Sequence, residues 1–145
     1  MANTLYTAKA HVTGGRVEGH GRTSDGVLEV DLRIPSEMGG PGGGTNPEEL
    51  FAVGYAACFE GALSVVGRRM KAEVGDVGID SSVSLLPDGQ GGFKLEVGLD
   101  VSLPSVEDAD TAKQLVSAAH KVGPYSNATR GNIEVALTAN GQPVD

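Results

Sequence analysis

The spacing of apolar and polar residues predicts short strands in the first quarter of the chain. Residues 4–13 and 16–34 have strand-like patterns, interrupted by a tight glycine connection at 13–16 and by an Asp-Gly hairpin turn at 24–26. Apolar and polar positions alternate over residues 28–34, which is typical of a strand with one buried face. We therefore expect three strands joined by tight turns.

A glycine-dense loop over residues 35–45 follows these strands, and a helix start follows the loop. The loop lacks the Gly-Lys-Ser/Thr ending of a nucleotide-binding loop, so we interpret it as a flexible connector. Asn46 suits a helix N-cap and Pro47 the first helical position, and two acidic residues then complement the positive helix end. We expect this helix over residues 47–71. Its centre at 52–59 is rich in small residues, which predicts burial on most faces.

The second half of the chain is predicted to contain a second hairpin, a second helix and a last strand. Residues 77–86 and 93–103 alternate well and flank a turn. A capping-box-like sequence at 105–108 predicts a helix start, and Gly123, followed by proline, ends that helix. A strand over residues 130–139 completes the order β-β-β-α-β-β-α-β, an α+β fold.

Length, charge and cysteine content exclude several classes of protein. The chain has 145 residues, which predicts one domain over residues 1–145. A net charge of −8 argues against a nucleic-acid partner, since such proteins carry a basic face. The single cysteine excludes an intrachain disulfide and favours a cytoplasmic location. No membrane partner is expected, because the apolar stretch at 50–67 is short and interrupted by Glu60.

Cys58 is the only thiol, and it lies in the small-residue helix. A lone buried cysteine is usually an inert apolar residue, whereas a reactive one needs a nearby cation that favours its thiolate. Glu48 precedes Cys58 by ten residues, which places them about 15 Å apart along the helix axis and about 80° apart around it. The two cannot touch, but both could border one pocket if a long side chain such as Arg16 lay between them.

The three histidines show no metal-binding spacing, and no metal site is expected. His120 lies near the end of the second predicted helix. A cation there would interact favourably with the negative end of the helix dipole, so we expect His120 to have this role.

Two segments resemble the organic hydroperoxide resistance proteins, which belong to the superfamily of osmotically inducible protein C. They are residues 46–59 (Asn-Pro-Glu-Glu-Leu-Phe-Ala-Val-Gly-Tyr-Ala-Ala-Cys-Phe) and 124–133 (Pro-Tyr-Ser-Asn-Ala-Thr-Arg-Gly-Asn-Ile). The resemblance covers essentially the whole chain. It implies an intertwined homodimer with central cysteine-bearing helices and two sites at the subunit interface.

The same resemblance implies a thiol peroxidase that acts on organic hydroperoxides. The peroxidatic cysteine of the family corresponds to Cys58, its site arginine to Arg16, and the glutamate that holds this arginine to Glu48. Lipoyl groups re-reduce the cysteine in this family, so the implied reductant is a lipoylated protein or a dithiol. The resemblance implies no metal, haem or other cofactor. Gly123 stands where the family has its resolving cysteine, which removes the intramolecular disulfide step.

The resulting hypothesis is that Arg16 stabilises the Cys58 thiolate and that this sulfur becomes a sulfenic acid. Phe51, Tyr55 and Phe59 are expected to surround the hydrocarbon group of the substrate, although core packing explains each of them equally well. An external thiol must then resolve the sulfenic acid. Two alternatives remain open: a redox-impaired homologue that binds hydroperoxides or lipid-like ligands without full turnover, and a structural dimer that needs no reactive thiol.

Overall fold

The computed structural model describes residues 3–145 and divides the chain into two compact units, Met1–Leu50 and Phe51–Asp145. The prediction of one domain over residues 1–145 stays a prediction.

The first unit contains a three-stranded antiparallel sheet. Its strands β1 (Ala10–Thr13), β2 (Glu18–Thr23) and β3 (Glu29–Arg33) lie in sequence order, so the predicted hairpins are confirmed. The Asp-Gly turn joins β2 to β3 with Gly26 at φ 74°, a conformation that glycine adopts without strain. A 3-10 turn at Ser36–Met38, which the sequence pattern did not predict, lies in the glycine-dense loop.

His20 links β2 to β3 on the polar face of this sheet. Its Nδ1 lies 2.9 Å from Asp31 Oδ1, and its Nε2 lies 2.8 Å from Glu29 Oε2. Hydrogen bonds to Asp31 and then to Glu29 raise the pKa of His20, because both carboxylates favour the charged imidazolium. On the opposite face Leu32 is buried.

Helix α1 covers Pro47–Arg69. The predicted N-cap is confirmed, since Asn46 Oδ1 accepts a hydrogen bond of 2.8 Å from the Glu49 backbone N–H. The predicted end at residue 71 is two residues too late. Lys71 adopts a left-handed φ of 55°, and the next N–H bonds back to the carbonyl of Gly67, which terminates the helix.

The prediction that α1 is buried on most faces is wrong for the single chain. Val53 is 72% exposed and Ala57 is also exposed, because nothing in the described chain covers this side of the helix. The expectation that its apolar stretch is too short and interrupted to span a bilayer is wrong as to length and composition, since this 23-residue helix, alone among residues 3–145, is long and apolar enough. The core helix of a soluble protein has the same properties, so the finding does not assign α1 to a membrane. The buried residues of α1 are Tyr55, Phe59, Ala62, Leu63, Val66 and Gly67.

The second unit contains a four-stranded sheet in the order β4-β5-β6-β7. Strands β4 (Gly78–Pro87) and β5 (Phe93–Ser102) form the predicted hairpin. Strand β6 (Val135–Ala139) pairs with β5 in parallel, and β7 (Gln142–Val144) pairs with β6 antiparallel. The predicted last strand over 130–139 is therefore shorter, and β7 is an additional strand.

Two helices lie between β5 and β6. Helix α2 (Ala109–Val122) begins after Asp108, whose carboxylate accepts a hydrogen bond of 2.9 Å from the Thr111 N–H. The N-cap is thus Asp108, and the predicted capping box at 105–108 is wrong. Helix α3 (Pro124–Thr129) follows Gly123 directly and was not predicted. The α+β class is confirmed, with α3 and β7 added to the predicted order.

The core of the second unit lies between its helices and its sheet. Helix α1 contributes Tyr55, Phe59 and Leu63, and the sheet contributes the inward side chains of β5 and β6. Helix α2 contributes its fully buried residues, which are Ala112, Leu115, Val116 and Ala119.

Candidate active site

Arg16 and Glu48 form a bidentate ion pair in the first unit. Arg16 Nη1 donates to Glu48 Oε1 at 2.8 Å, and Nη2 donates to Oε2 at 3.1 Å. Two parallel N–H···O bonds fix the plane of the guanidinium as well as its position. Hydrogen bonding to Arg16 lowers the pKa of Glu48, and hydrogen bonding to Glu48 raises the pKa of Arg16, so both groups stay charged at neutral pH.

The turn before β2 positions Arg16. Gly14 and Gly15 both have positive φ values, 74° and 59°. A Cβ on Gly14 would lie 2.1 Å from the Glu18 carbonyl oxygen, so only glycine allows this close approach. The sequence of the turn therefore determines the backbone position from which the Arg16 side chain extends.

The Arg16–Glu48 pair predicts a pH-dependent difference in stability between two matched variants. Glu48→Gln should lower the free energy of unfolding at pH 7 by about 1 kcal/mol or less, since the Arg16 side chain is 39% exposed and solvent screens the pair. Because the pKa of Glu48 is lowered in the fold, this contribution is complete above the ordinary carboxyl value of about 4.3 and disappears as the pH falls through the folded-state value.

Glu49→Gln is the control for this measurement. Glu49 lies in the same helix turn but accepts its hydrogen bond from Thr45 Oγ1, at 2.8 Å, and not from Arg16. Urea unfolding of both variants from pH 3 to pH 7 gives the comparison. An equal pH dependence for the two variants would show that the helix dipole, and not Arg16, accounts for the effect of Glu48.

Cys58 lies in the second unit, on α1, with intermediate exposure. The expectation that it is enclosed in a buried helix is therefore wrong, because the exposed side of α1 begins beside it at Ala57. Partial exposure is a requirement for a cysteine that reacts with dissolved reagents.

Three aromatic residues of the second unit, Phe51, Tyr55 and Tyr125, form a cluster near residue 51 of α1. Phe51 stacks on Tyr125 with ring centroids 5.5 Å apart, and Tyr55 meets both rings edge-on. Tyr55 and Phe59 are fully buried, which supports core packing as their role, whereas Tyr125 is 38% exposed. The assignment of Phe51, Tyr55 and Phe59 to substrate binding stays a prediction. Tyr125 also belongs to this aromatic cluster, and sequence reasoning did not identify it.

The segment from Gly123 to Tyr125 lies along the α1 face that carries Cys58. A Cβ built on Gly54 would lie 3.3 Å from Tyr125 Oη, and one built on Gly123 would lie 3.3 Å from Ala62 Cβ. Gly54, Cys58 and Ala62 are spaced by four residues and so share one helix face. Cys58 is thus the middle position of the face on which this segment lies.

A buried polar network holds the neighbouring helix α3. Ser126, which is 1% exposed, has its Oγ 2.9 Å from Tyr55 Oη and 2.8 Å from His120 Nδ1. Tyr55 Oη also lies 2.9 Å from Thr129 Oγ1. Sequence reasoning missed this network, because its members lie on three helices and have no periodic spacing.

His120 lies in the last turn of α2, as expected, but its imidazole bonds to Ser126. Burial lowers the pKa of His120, and the charge of Arg130 lowers it further. The ring is therefore neutral at neutral pH and does not serve there as the expected cation for the helix dipole.

Among residues 3–145, no group of three or more His, Cys, Asp or Glu side chains is arranged to hold a metal ion.

Comparison with known proteins gives a consistent result. The model of the OsmC-like protein family matches residues 40–138. The organic hydroperoxide resistance protein of Xanthomonas axonopodis pv. citri is 53% identical over 138 residues, which cover 92% of this chain and 94% of the relative. The organic hydroperoxide resistance protein OhrB of Bacillus subtilis is 48% identical over 134 residues, covering 92% and 96%.

Solved structures show the same similarity. The crystal structure of OhrB of Bacillus subtilis has a TM-score of 0.83 and 47% identity, with 92% of this chain and 98% of that chain covered. The crystal structure of an organic hydroperoxide resistance protein from Elizabethkingia anophelis, with thiocyanate bound, has a TM-score of 0.87 and 46% identity, with coverages of 94% and 97%.

Proposed function

The chain belongs to the OsmC-like proteins and, among them, to the organic hydroperoxide resistance proteins, and on this premise we propose that it reduces organic hydroperoxides to alcohols through Cys58. The names of its relatives support a peroxidase-type function for the family. The observation that carries the proposal is the partly exposed Cys58, the only thiol of the chain, within the segment that the family model matches.

The proposed reaction is an attack of the Cys58 thiolate on the outer oxygen of R–O–O–H. The O–O bond breaks, sulfur gains one oxygen to become a sulfenic acid, and the departing alkoxide takes a proton to become the alcohol. In this proposal Arg16 stabilises the thiolate and the charge that develops on the leaving oxygen, and Glu48 fixes the guanidinium. The bidentate Arg16–Glu48 pair supports this assignment, since it pre-orients the arginine.

The proposed substrate class is hydroperoxides with an alkyl or aryl group, including those of lipids. Phe51 and Tyr125 are aromatic residues that are not fully buried and lie on the same unit as Cys58. Burial of about 100 Å² of apolar surface provides about 2.5 kcal/mol. Hydrogen peroxide has no apolar group that could gain this energy.

Cumene hydroperoxide should therefore oxidise Cys58 roughly 10- to 100-fold faster than hydrogen peroxide does. The measurement is stopped-flow mixing of reduced protein with each peroxide, with intact mass confirming the addition of one oxygen. Free cysteine treated with the same two peroxides gives the intrinsic difference in their reactivity. Equal second-order rate constants for the protein would contradict the proposed site.

We also propose a homodimer in which the exposed side of α1 contacts a second copy. Val53, Ala57 and Gly61 form this side, and their small or apolar side chains allow close approach of another helix. Reduction by a lipoylated protein or by dihydrolipoamide, a cytoplasmic location, and independence of metals, other cofactors, nucleic acids and membranes belong to the same proposal.

A second candidate function follows from Gly123. Without a thiol at this position no intramolecular disulfide can form, so a redox-impaired homologue that binds hydroperoxides or lipid-like ligands without full turnover is the alternative. Turnover with a dithiol reductant separates the two candidates.

A further inference from the structure

One arrangement of hydrogens makes every contact of the polar network around Ser126 a hydrogen bond. Thr129 Oγ1 donates its hydrogen to backbone carbonyls, those of Tyr125 at 3.0 Å and Ser126 at 3.3 Å, because a carbonyl cannot donate. Thr129 must then accept from Tyr55, and Tyr55 must accept from Ser126. Ser126 Oγ donates its only hydrogen to Tyr55, so it must accept from His120 Nδ1.

His120 therefore carries a hydrogen on Nδ1, and it is the first donor of a directed chain that runs through Ser126, Tyr55 and Thr129. Removal of this donor leaves the Ser126 oxygen without the partner that the chain requires. An unsatisfied group at a buried position is costly, so the loss is transmitted to the hydroxyls that follow.

The chain connects three helices. His120 belongs to α2, Ser126 and Thr129 to α3, and Tyr55 to α1. Helix α3 has only six residues and is therefore unstable without tertiary contacts. The first turn of α3 contains Tyr125, and Gly123 directly precedes the helix. The network is thus placed to determine how this segment lies on the face of α1 that carries Cys58.

We propose that His120 is a positioning residue for the hydroperoxide reaction: its Nδ1–H holds Ser126, and through Ser126 it keeps Tyr125 and position 123 on the Cys58 face of α1. The proposal rests on the proposed function for its effect on the reaction. Its structural part, the restraint of α3 by His120, is independent of that function.

Two variants of His120 separate the hydrogen bond from the volume of the ring. In His120→Asn the side-chain amide nitrogen occupies the place of Nδ1, two bonds from Cβ, and keeps the donor to Ser126. His120→Leu keeps an apolar side chain of similar bulk and removes the donor. Lys121→Leu is the control, because it places a leucine at the exposed neighbouring position in the same helix turn.

The first measurement is amide hydrogen exchange of the peptide that covers residues 123–131. His120→Leu should accelerate its exchange by about fivefold or more, since a buried group left without its hydrogen-bond partner costs at least about that factor. His120→Asn and Lys121→Leu should leave the exchange within about twofold of the unchanged protein.

The second measurement is the ratio of the rate constants for cumene hydroperoxide and hydrogen peroxide. Displacement of Tyr125 should lower this ratio in His120→Leu by about tenfold, because only the organic substrate uses the aromatic surface. A loss of folded protein alone reduces both rates equally and leaves the ratio unchanged. His120→Asn should restore the ratio.

Ser126→Ala provides the same test from the other side of the hydrogen bond if His120→Leu does not fold. It should reproduce the faster exchange and the lower ratio. His120→Leu should add little to it, since Ser126→Ala already removes the bond to His120 together with the bond to Tyr55. Unchanged exchange at 123–131 in both His120→Leu and Ser126→Ala would overturn the proposal. Faster exchange with an unchanged ratio of the two rate constants would also overturn it. So would a His120→Asn variant that behaves like His120→Leu. A protein that reacts with neither peroxide would refute the proposed function, and the exchange result would then decide the restraint of α3 alone.

Discussion

The Cys58→Ser variant is expected to consume no organic hydroperoxide, whereas the unchanged protein should consume one equivalent per chain in a rapid burst. The reason is that Cys58 is the only thiol, so no other side chain can accept the peroxide oxygen by this chemistry. A serine hydroxyl has the same shape but is a far weaker nucleophile at neutral pH. The measurement is the loss of cumene hydroperoxide after it is mixed, in slight excess, with reduced protein, together with intact mass.

Lys121→Ser is the control for this prediction, because it places a serine at an exposed position outside the proposed dimer contact and keeps the thiol. Its burst should equal that of the unchanged protein. A burst that persists in Cys58→Ser would exclude the proposed mechanism. If neither protein shows a burst, saturable binding of a hydroperoxide would favour the redox-impaired homologue that binds hydroperoxides without full turnover. The absence of such binding would favour a structural dimer.

The fold was predictable wherever one short stretch of sequence determines the structure. The alternation over 77–86 and 93–103 indicated a hairpin, and Asn46 followed by Pro47 indicated the start of α1; both are confirmed. Helix α3 could not be found in this way, because six residues are too few to show a period of 3.6.

Competition between good capping residues explains the error at the start of α2. Ser105 and Asp108 are both suitable N-caps, and only the observed contact of Asp108 with Thr111 identifies the one that is used. The exposure of Val53 and Ala57 is a different kind of failure. A small-residue surface predicts close packing, but the sequence does not say whether the partner belongs to the same chain.

The candidate site depended on the resemblance more than on patterns in the sequence. Helix geometry places Glu48 and Cys58 about 15 Å apart along α1, and no local pattern selects Arg16 among the basic residues. The structure brings Arg16 and Glu48 into a bidentate pair, while their catalytic role stays a prediction. The contact between His120 and Ser126 left no signal, since the sequence does not show which polar side chains meet on packing.

The backbone at Gly123 determines whether a cysteine can be placed there. Its φ of −68° and ψ of 140° are accessible to every residue, so the change adds no strain of the left-handed kind. A Cβ would lie 3.3 Å from Ala62 Cβ, which requires a shift of a few tenths of an ångström. Ala62 lies one helix turn after Cys58 on the same face, so a side chain at position 123 starts close to the sulfur it would have to reach.

The Gly123→Cys variant is therefore expected to form a disulfide with Cys58 after one equivalent of organic hydroperoxide. The new thiol attacks the sulfenic sulfur and water leaves, so the intact mass should fall by two hydrogens and retain no oxygen. A dithiol reductant should then support many turnovers, and excess peroxide should no longer produce the sulfinic acid. Gly123→Ser adds the Cβ without the thiol and should behave like the unchanged protein. Without an added thiol, both should stop at the sulfenic acid and lose activity with peroxide dose. Oxygen retained on Gly123→Cys without a disulfide would show that position 123 does not reach Cys58, since a disulfide requires Cα atoms about 4.4–6.8 Å apart.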